Sequence, residues 1–197
     1  MGKGAQTKAE ILDRAMALAG EVGLEGLSLG VLAASVELSK SGLFAHFKSK
    51  EALQLEVLQR AIGLFVRQVV LPALPVPRGE PRVRALFSQY LSWISGRQGG
   101  CLFMALSHEY DDRPGPVRDL LVQSQRDWVG TVAKAARIAV EAKHFRADLD
   151  AEQFAFEWMG IGMSFQEASR LFEDPKAHKR AQVAFESLLA RAERGRH

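Results

Sequence analysis

Apolar residues recur at helical spacing along nearly the whole chain, and the interruptions are rich in Gly and Pro. Thr7 with Glu10 three residues on makes a capping-box pattern, after which Ile11, Leu12, Ala15, Ala19 and Val22 carry one apolar stripe to a stop at Gly23. Leu29, Leu32, Ala33 and Val36 fall at i, i+3, i+4 and i+7 behind Ser28, a good N-cap residue. A longer helix after Ser49 repeats apolar residues at Leu58, Ile62, Phe65 and Val69. Pro72, Pro75, Pro77 and Pro81 forbid a continuous helix from Leu71 to Pro81. Beyond that break the pattern predicts helices near 82–95, 101–109, 116–142, 151–172 and 176–193, with a polar, basic tail from Arg191 that is expected to fray. No strand-like alternation, internal repeat or low-complexity tract interrupts them, so the expected fold class is all-α.

Within this frame the stretch Ser28 to Leu53 stands apart. Ser39 caps a second short helix in which Leu43 and Phe47 lie one turn apart and point inward. Lys40, Ser41, Gly42 and His46 are left outside as a small, polar face. Two short helices, a tight polar turn and an aromatic-basic exit have the layout of a DNA-binding helix-turn-helix. From Leu38 to Lys50 there are three lysines and no acid, so Lys48 and Lys50 would meet phosphates as point charges, helped by the helix N-termini. A solvated basic loop between core helices is the plainer reading of the charges, and the two capped helices weigh against it. Net charge carries no such argument. The formal charge is only +3, and residues 1–60 hold seven Lys or Arg against seven Asp or Glu.

Thr7 to about Arg60 resembles the N-terminal domain of the tetracycline-repressor (TetR) family of bacterial transcriptional regulators. The resemblance rests on a first helix ending in GLEGLSL, the body LAASVELSKSGLFAHF, and KSKEAL leading into a long helix. It implies a three-helix DNA-binding head, here residues 1–50, joined by a long helix to a helical ligand-binding and dimerisation body, residues 51–197. It further implies DNA contacts from Ser28, Ser39, Lys40, Ser41, Gly42, Phe44, His46, Lys48 and Lys50. The expected protein is a ligand-responsive homodimeric repressor on a palindromic operator. Two residues depart from the family pattern: Glu37 stands where Gly is usual in the turn, and Phe44 where Tyr is commoner. Both should weaken DNA affinity, and they keep open the alternative of a helical small-molecule binder that no longer reads DNA.

In the body, Phe154, Trp158, Ile161, Phe165, Ala168 and Phe172 are spaced alternately by four and three residues, a heptad-like seam. The last helix adds Ala181, Ala184, Phe185, Leu188 and Ala192. In the family the last two helices pair with their copies in a second subunit, which makes Phe154, Trp158, Ile161, Phe165, Phe185 and Leu188 the expected dimer residues; intrachain core is the competing reading. Phe87, Trp93, Phe103, Met104, Trp128, Met159 and Met163 are large and polarizable, suited to an apolar cavity for a largely apolar effector, with ordinary core as the alternative for each.

Catalytic chemistry finds little support. His108, Glu109, Asp111 and Asp112 are the densest set of potential ligands, but they run off a helix end into DDRPGP and read as a solvated acidic turn. Gly160 to Gln166 completes neither a dinucleotide loop nor a nucleophile elbow and reads as helix-packing sequence. No enzyme, metal or cofactor is expected. Cys101 is the only cysteine, which excludes an intrachain disulfide and suits a reducing compartment. No apolar run approaches the ~20 residues of a membrane span and the start lacks a signal peptide's apolar core, so no membrane association and a cytoplasmic location are expected.

Overall fold

The computed structural model describes residues 3–36, 39–96 and 100–193, apart from the side chains of residues 3–6, Lys40 and Phe44. Over these residues the chain forms α1 (Lys3–Gly26), α2 (Leu29–Ser35), α3 (Lys40–His46), α4 (Lys50–Phe65), α5 (Glu80–Ser95), α6 (Leu102–Glu109), α7 (Pro116–Glu141), α8 (Ala151–Arg170) and α9 (Ala177–Ala192). Phe145 and Glu193 form an isolated antiparallel bridge. Between α4 and α5 the helical path loosens into a π-helical turn, Val66–Val70, and a 3-10 turn, Leu71–Ala73, where Pro72 lacks a donor and the prolines that follow end regular structure.

Two compact units divide the chain: Met1–Leu64 with Cys101–Ser124, and Phe65–Gly100 with Gln125–His197. The expected domain boundary at 50/51 lies at the start of α4, whereas nearly all of α4 belongs to the first unit. Ion pairs from Lys8 to Glu56 (2.6 Å) and from Arg60 to Asp13 (2.8 Å) fasten α4 to α1. In the first unit α1, α2, α3 and α4 enclose Ile11, Ala15, Leu32, Leu43, Phe47 and Leu58, all buried, and α6 packs on α1. Helix α1 breaks where the sequence predicts a stop: Gly23 has φ 74° and ψ 168°, after which Leu24 to Gly26 make one further turn.

The second unit is built around aromatic rings. Phe65 meets Trp93 and Trp128 edge-on at 5.2 and 4.9 Å, and Trp158 meets Phe87 and Phe185 the same way at 5.0 and 5.4 Å. Helix α8 packs on both α5 and α9. A Cβ on Gly162 would lie 2.4 Å from the Tyr90 ring, so this glycine lets α8 approach α5, in keeping with a helix-packing role for Gly160 to Gln166.

Much of the α8–α9 seam is enclosed by the chain itself. Phe154, Trp158, Phe165, Phe185 and Leu188, expected to pair between subunits, are all buried within the single chain, and Phe87 of α5 stacks on Phe185. A stripe spaced by four and three marks a face that must be covered, and here the chain's own helices cover Phe154, Trp158 and Phe165 but leave Ala168 half-buried and Phe172 exposed. Ile161 is half-buried at the edge of the seam. Phe172, the last residue of the seam, is exposed, as are Phe156, Met163, Leu171 and Val183.

Candidate nucleic-acid interface

Two serine caps set the geometry of α2 and α3. Ser28 Oγ accepts from the Val31 N–H at 3.1 Å, and Ser39 Oγ accepts from the Gly42 N–H at 3.0 Å. Each satisfies a backbone donor that a helix start leaves open, worth about 1 kcal/mol. Leu43 and Phe47 then turn α3 by burying one side of it. Ser39 and Ser41 are exposed and share a hydrogen bond at 3.0 Å, while Gly42 and His46 are half-buried. A Cβ on Gly42 would come within 3.2 Å of Ser39 Oγ, so the cap itself favours the smallest residue there. The side chains of Lys40 and Phe44, and all of Glu37, lie outside the described residues.

Lys48 is exposed and, among the described residues, makes no ion pair. Lys50 differs. Its Nζ donates to the Glu25 backbone carbonyl at 2.7 Å and to Glu25 Oε2 at 2.9 Å. Glu25 Oε1 accepts from Tyr110 OH at 3.0 Å and from Gln54 Nε2 at 3.1 Å. The bond from Lys50 holds the Glu25 carboxyl below its ordinary pKa, with Gln54 and Tyr110 adding and burial opposing. Burial, then the bond to Glu25, pushes the Tyr110 phenol up.

One acid of the 108–112 cluster is not the solvated residue the sequence suggests. Glu109 accepts the N–H groups of Leu24 at 3.0 Å and Glu25 at 2.6 Å, capping the short turn after Gly23. A Cβ on Gly23 would sit 2.8 Å from Glu109 Oε2, so both φ and the approach of the carboxylate call for glycine. Among the described residues no group of three potential metal ligands occurs. Sequence reasoning missed Glu25, Gln54 and Tyr110 altogether, because residues 25 and 110 meet only through the fold.

The expected effector residues divide between the units. Phe103 and Met104 belong to the first; Phe87, Trp93, Trp128, Met159 and Met163 belong to the second. Phe87, Trp93 and Trp128 are buried in the aromatic cluster, Met159 is half-buried, and Met163 is 53% exposed and therefore lines no enclosed pocket in this chain. The buried indole N–H groups of Trp128 and Trp158 meet no acceptor. On the outer side of the second unit an apolar groove of about 250 Å³ runs between α8 and α9, lined by Gly160, Ile161, Ser164, Ala168, Ala181 and Ala184 among others.

Comparison with known proteins agrees with this geometry. Residues 11–57 match the family described as bacterial regulatory proteins, tetR family, and residues 79–185, more than half of the chain, match the tetracyclin repressor-like C-terminal domain. The chain belongs to the tetR family and is a DNA-binding transcriptional regulator. No curated protein matches it. Similar solved structures include a TetR transcriptional regulator from Chloroflexus aurantiacus J-10-FL (21% identity, 96% of each chain, TM-score 0.85). A TetR-family transcriptional regulator from Streptomyces coelicolor shares 20% identity over 95% of this chain and 97% of its own, with TM-score 0.81. AibR in complex with isovaleryl coenzyme A and operator DNA shares 22% identity over 89% of this chain and 96% of its own, with TM-score 0.71. No helix among the described residues is long and apolar enough to cross a membrane.

Proposed function

We propose that the chain is a homodimeric, ligand-responsive repressor that binds a palindromic operator in the cytoplasm and has no catalytic role. The capped pair α2 and α3 carries the reading: Leu43 and Phe47 bury one side of α3 and leave Ser39, Ser41 and the half-buried Gly42 and His46 on the side offered to a major groove. Lys40, Ser41, Gly42 and His46 read bases, whereas Ser28, Ser39 and Lys48 hold phosphates and fix the register, and Lys50 can join them as a phosphate contact once it leaves Glu25. Phe44 keeps its place on the reading helix without the hydroxyl a Tyr would offer.

Dimerisation is assigned to the groove between α8 and α9, which Ile161 and Phe165 of the seam line, and not to the enclosed Phe154, Trp158, Phe185 and Leu188. Gly160, Ala168 and Ala184 allow close approach there, and the exposed Phe156, Met163 and Val183 lie on the same two helices. The effector is assigned to the aromatic second unit, around Phe87, Trp93 and Trp128, where the Trp128 and Trp158 donors favour a largely apolar molecule with a hydrogen-bond acceptor. That AibR has been crystallised with both a coenzyme A thioester and operator DNA supports a ligand-responsive design.

Selection of bound duplexes from a random pool, followed by footprinting, tests the proposal. A shared two-fold site with half-sites about one helical turn apart is expected. Recovered fragments without a common palindrome would overturn the operator, and unchanged binding across a panel of apolar acceptor compounds would overturn the effector.

A further inference from the structure

We propose that Glu25 is a positioning residue of DNA binding: it holds Lys50 away from phosphate, and the 109–110 segment at the end of α6 keeps Glu25 in that position. The inference rests on the reading of Lys50 as a phosphate contact. An exposed ion pair alone would carry little, since two mobile side chains gain almost nothing by meeting in water. Here the acid is not mobile. Its Oε1 takes two donors, Tyr110 OH and Gln54 Nε2, and its Oε2 faces Lys50, with Arg113 Nη1 at 3.9 Å. Gln54, only 4% exposed, also donates to the Leu24 carbonyl at 2.8 Å. Glu109 fixes the backbone that bears Glu25 through the N–H groups of residues 24 and 25. Lys50 is thereby bound on two sides by residue 25, through its carbonyl and its carboxylate.

Counterion balance gives this arrangement its consequence. A free lysine that reaches a phosphate releases a condensed cation from DNA, steepening the log–log salt dependence by about 0.9 per contact. Lys50 must first leave Glu25, and the bared carboxylate then takes a cation up. The two changes cancel, so Lys50 adds little to wild-type affinity or salt slope. A shift of residues 109–110 that loosened Glu25 would turn Lys50 into a full phosphate contact, and a return to the present arrangement would withdraw it. Control over the head then lies in how many of its cations are available, without any change in the base-reading face of α3.

The test is a double-mutant cycle on the full chain, read by anisotropy with a labelled duplex of arbitrary sequence across a salt series, and in parallel by the salt needed for elution from heparin. Glu25→Gln keeps the shape and removes the charge. Lys50→Ala is expected to cost about twofold in duplex affinity in the wild type and about tenfold in Glu25→Gln, whose salt slope steepens by about 0.9 per subunit. Glu21→Gln, which removes an exposed acid of the same helix, controls for net charge and should leave the Lys50→Ala cost at twofold. Tyr110→Phe should give an intermediate cost. An equal cost of Lys50→Ala in both backgrounds, or weaker binding by Glu25→Gln, overturns the proposal. If no version of the chain binds duplex, the regulator reading fails, and heparin still decides this one: Lys50→Ala must lower the elution salt more in Glu25→Gln than in the wild type, and an equal shift rejects it.

Discussion

The rings of Phe87 and Phe185 stack with centroids 3.8 Å apart and planes 13° from parallel, joining α5 to α9 inside one chain. Trp158 packs edge-on against both of them. Phe185→Ala therefore opens a cavity in a core and does not unmask an interface. A loss of about 3–5 kcal/mol is expected, lowering the melting temperature by roughly 10 °C. Sedimentation of the protein that remains folded should show the wild-type association state.

One residue away the outcome reverses. Ala184 is exposed and lines the outer α8–α9 groove. Ala184→Arg should leave the fold within about 0.5 kcal/mol of wild type, as surface changes usually do. If the groove is the dimer face, the variant places unpaired charges in it and sediments as a monomer, with operator affinity falling although no residue of α3 has changed. A dimeric Ala184→Arg variant would move the interface elsewhere.

On the DNA side, positioning and reading residues should separate. Lys48→Ala should weaken all sequences alike and flatten the salt slope by about 0.9 per subunit, since this lysine is exposed. His46→Ala should instead change which bases selection recovers. Selection and salt titration on the same two variants check the division.

These contrasts also mark what the sequence could disclose. Ser28, Ser39 and the helix limits near 101–109 and 116–142 were legible because caps, periodicity and glycine or proline stops act over a few residues. The spacing of Phe154, Trp158 and Phe165 was equally clear as a stripe, yet a stripe does not say whether a second subunit or α5 and α9 will cover it. Glu109 looked like one more acid of a solvated turn. Its two backbone amides lie 84 and 85 residues away, and a carboxylate that caps a distant turn leaves no periodic trace. The pairing of Lys50 with Glu25 was hidden for the same reason: Lys50 stood out only as a phosphate contact, and Glu25 is unremarkable until the fold brings the two together.

Glu109→Ala should expose that distant cap. The Leu24 and Glu25 amides lose charge-assisted bonds whose partly exposed setting puts the cost at about 1–2 kcal/mol. Hydrogen exchange gives the specific reading: amides 24 and 25 should lose protection while those of α4 keep theirs. Gly23→Ala should do similar damage by another route, since its φ of 74° strains any L side chain and its Cβ would meet the Glu109 carboxylate.

Acid should find the same network through Glu25. Its folded-state pKa lies below the ordinary value of 4.5, chiefly because Lys50 donates to the carboxylate. A depressed carboxylate pKa means that the unfolded chain binds the proton more readily. The stabilisation is therefore complete above about pH 4.5 and is lost as pH falls from there through the folded value. Glu25→Gln has no proton to gain at that position, so its urea midpoint should fall less than the wild type's below pH 4.5, with the two curves parallel from pH 6 to 8. The two proteins differ only at residue 25, which makes the difference between the curves the informative quantity. A wild-type curve that stays parallel to the variant's down to pH 3 would mean that the Lys50–Glu25 pair gives no net stability to the folded chain. A difference that opens on the alkaline side instead would have the wrong sign for a depressed carboxylate and would point to Tyr110, whose raised pKa protects stability only while its hydroxyl keeps the proton.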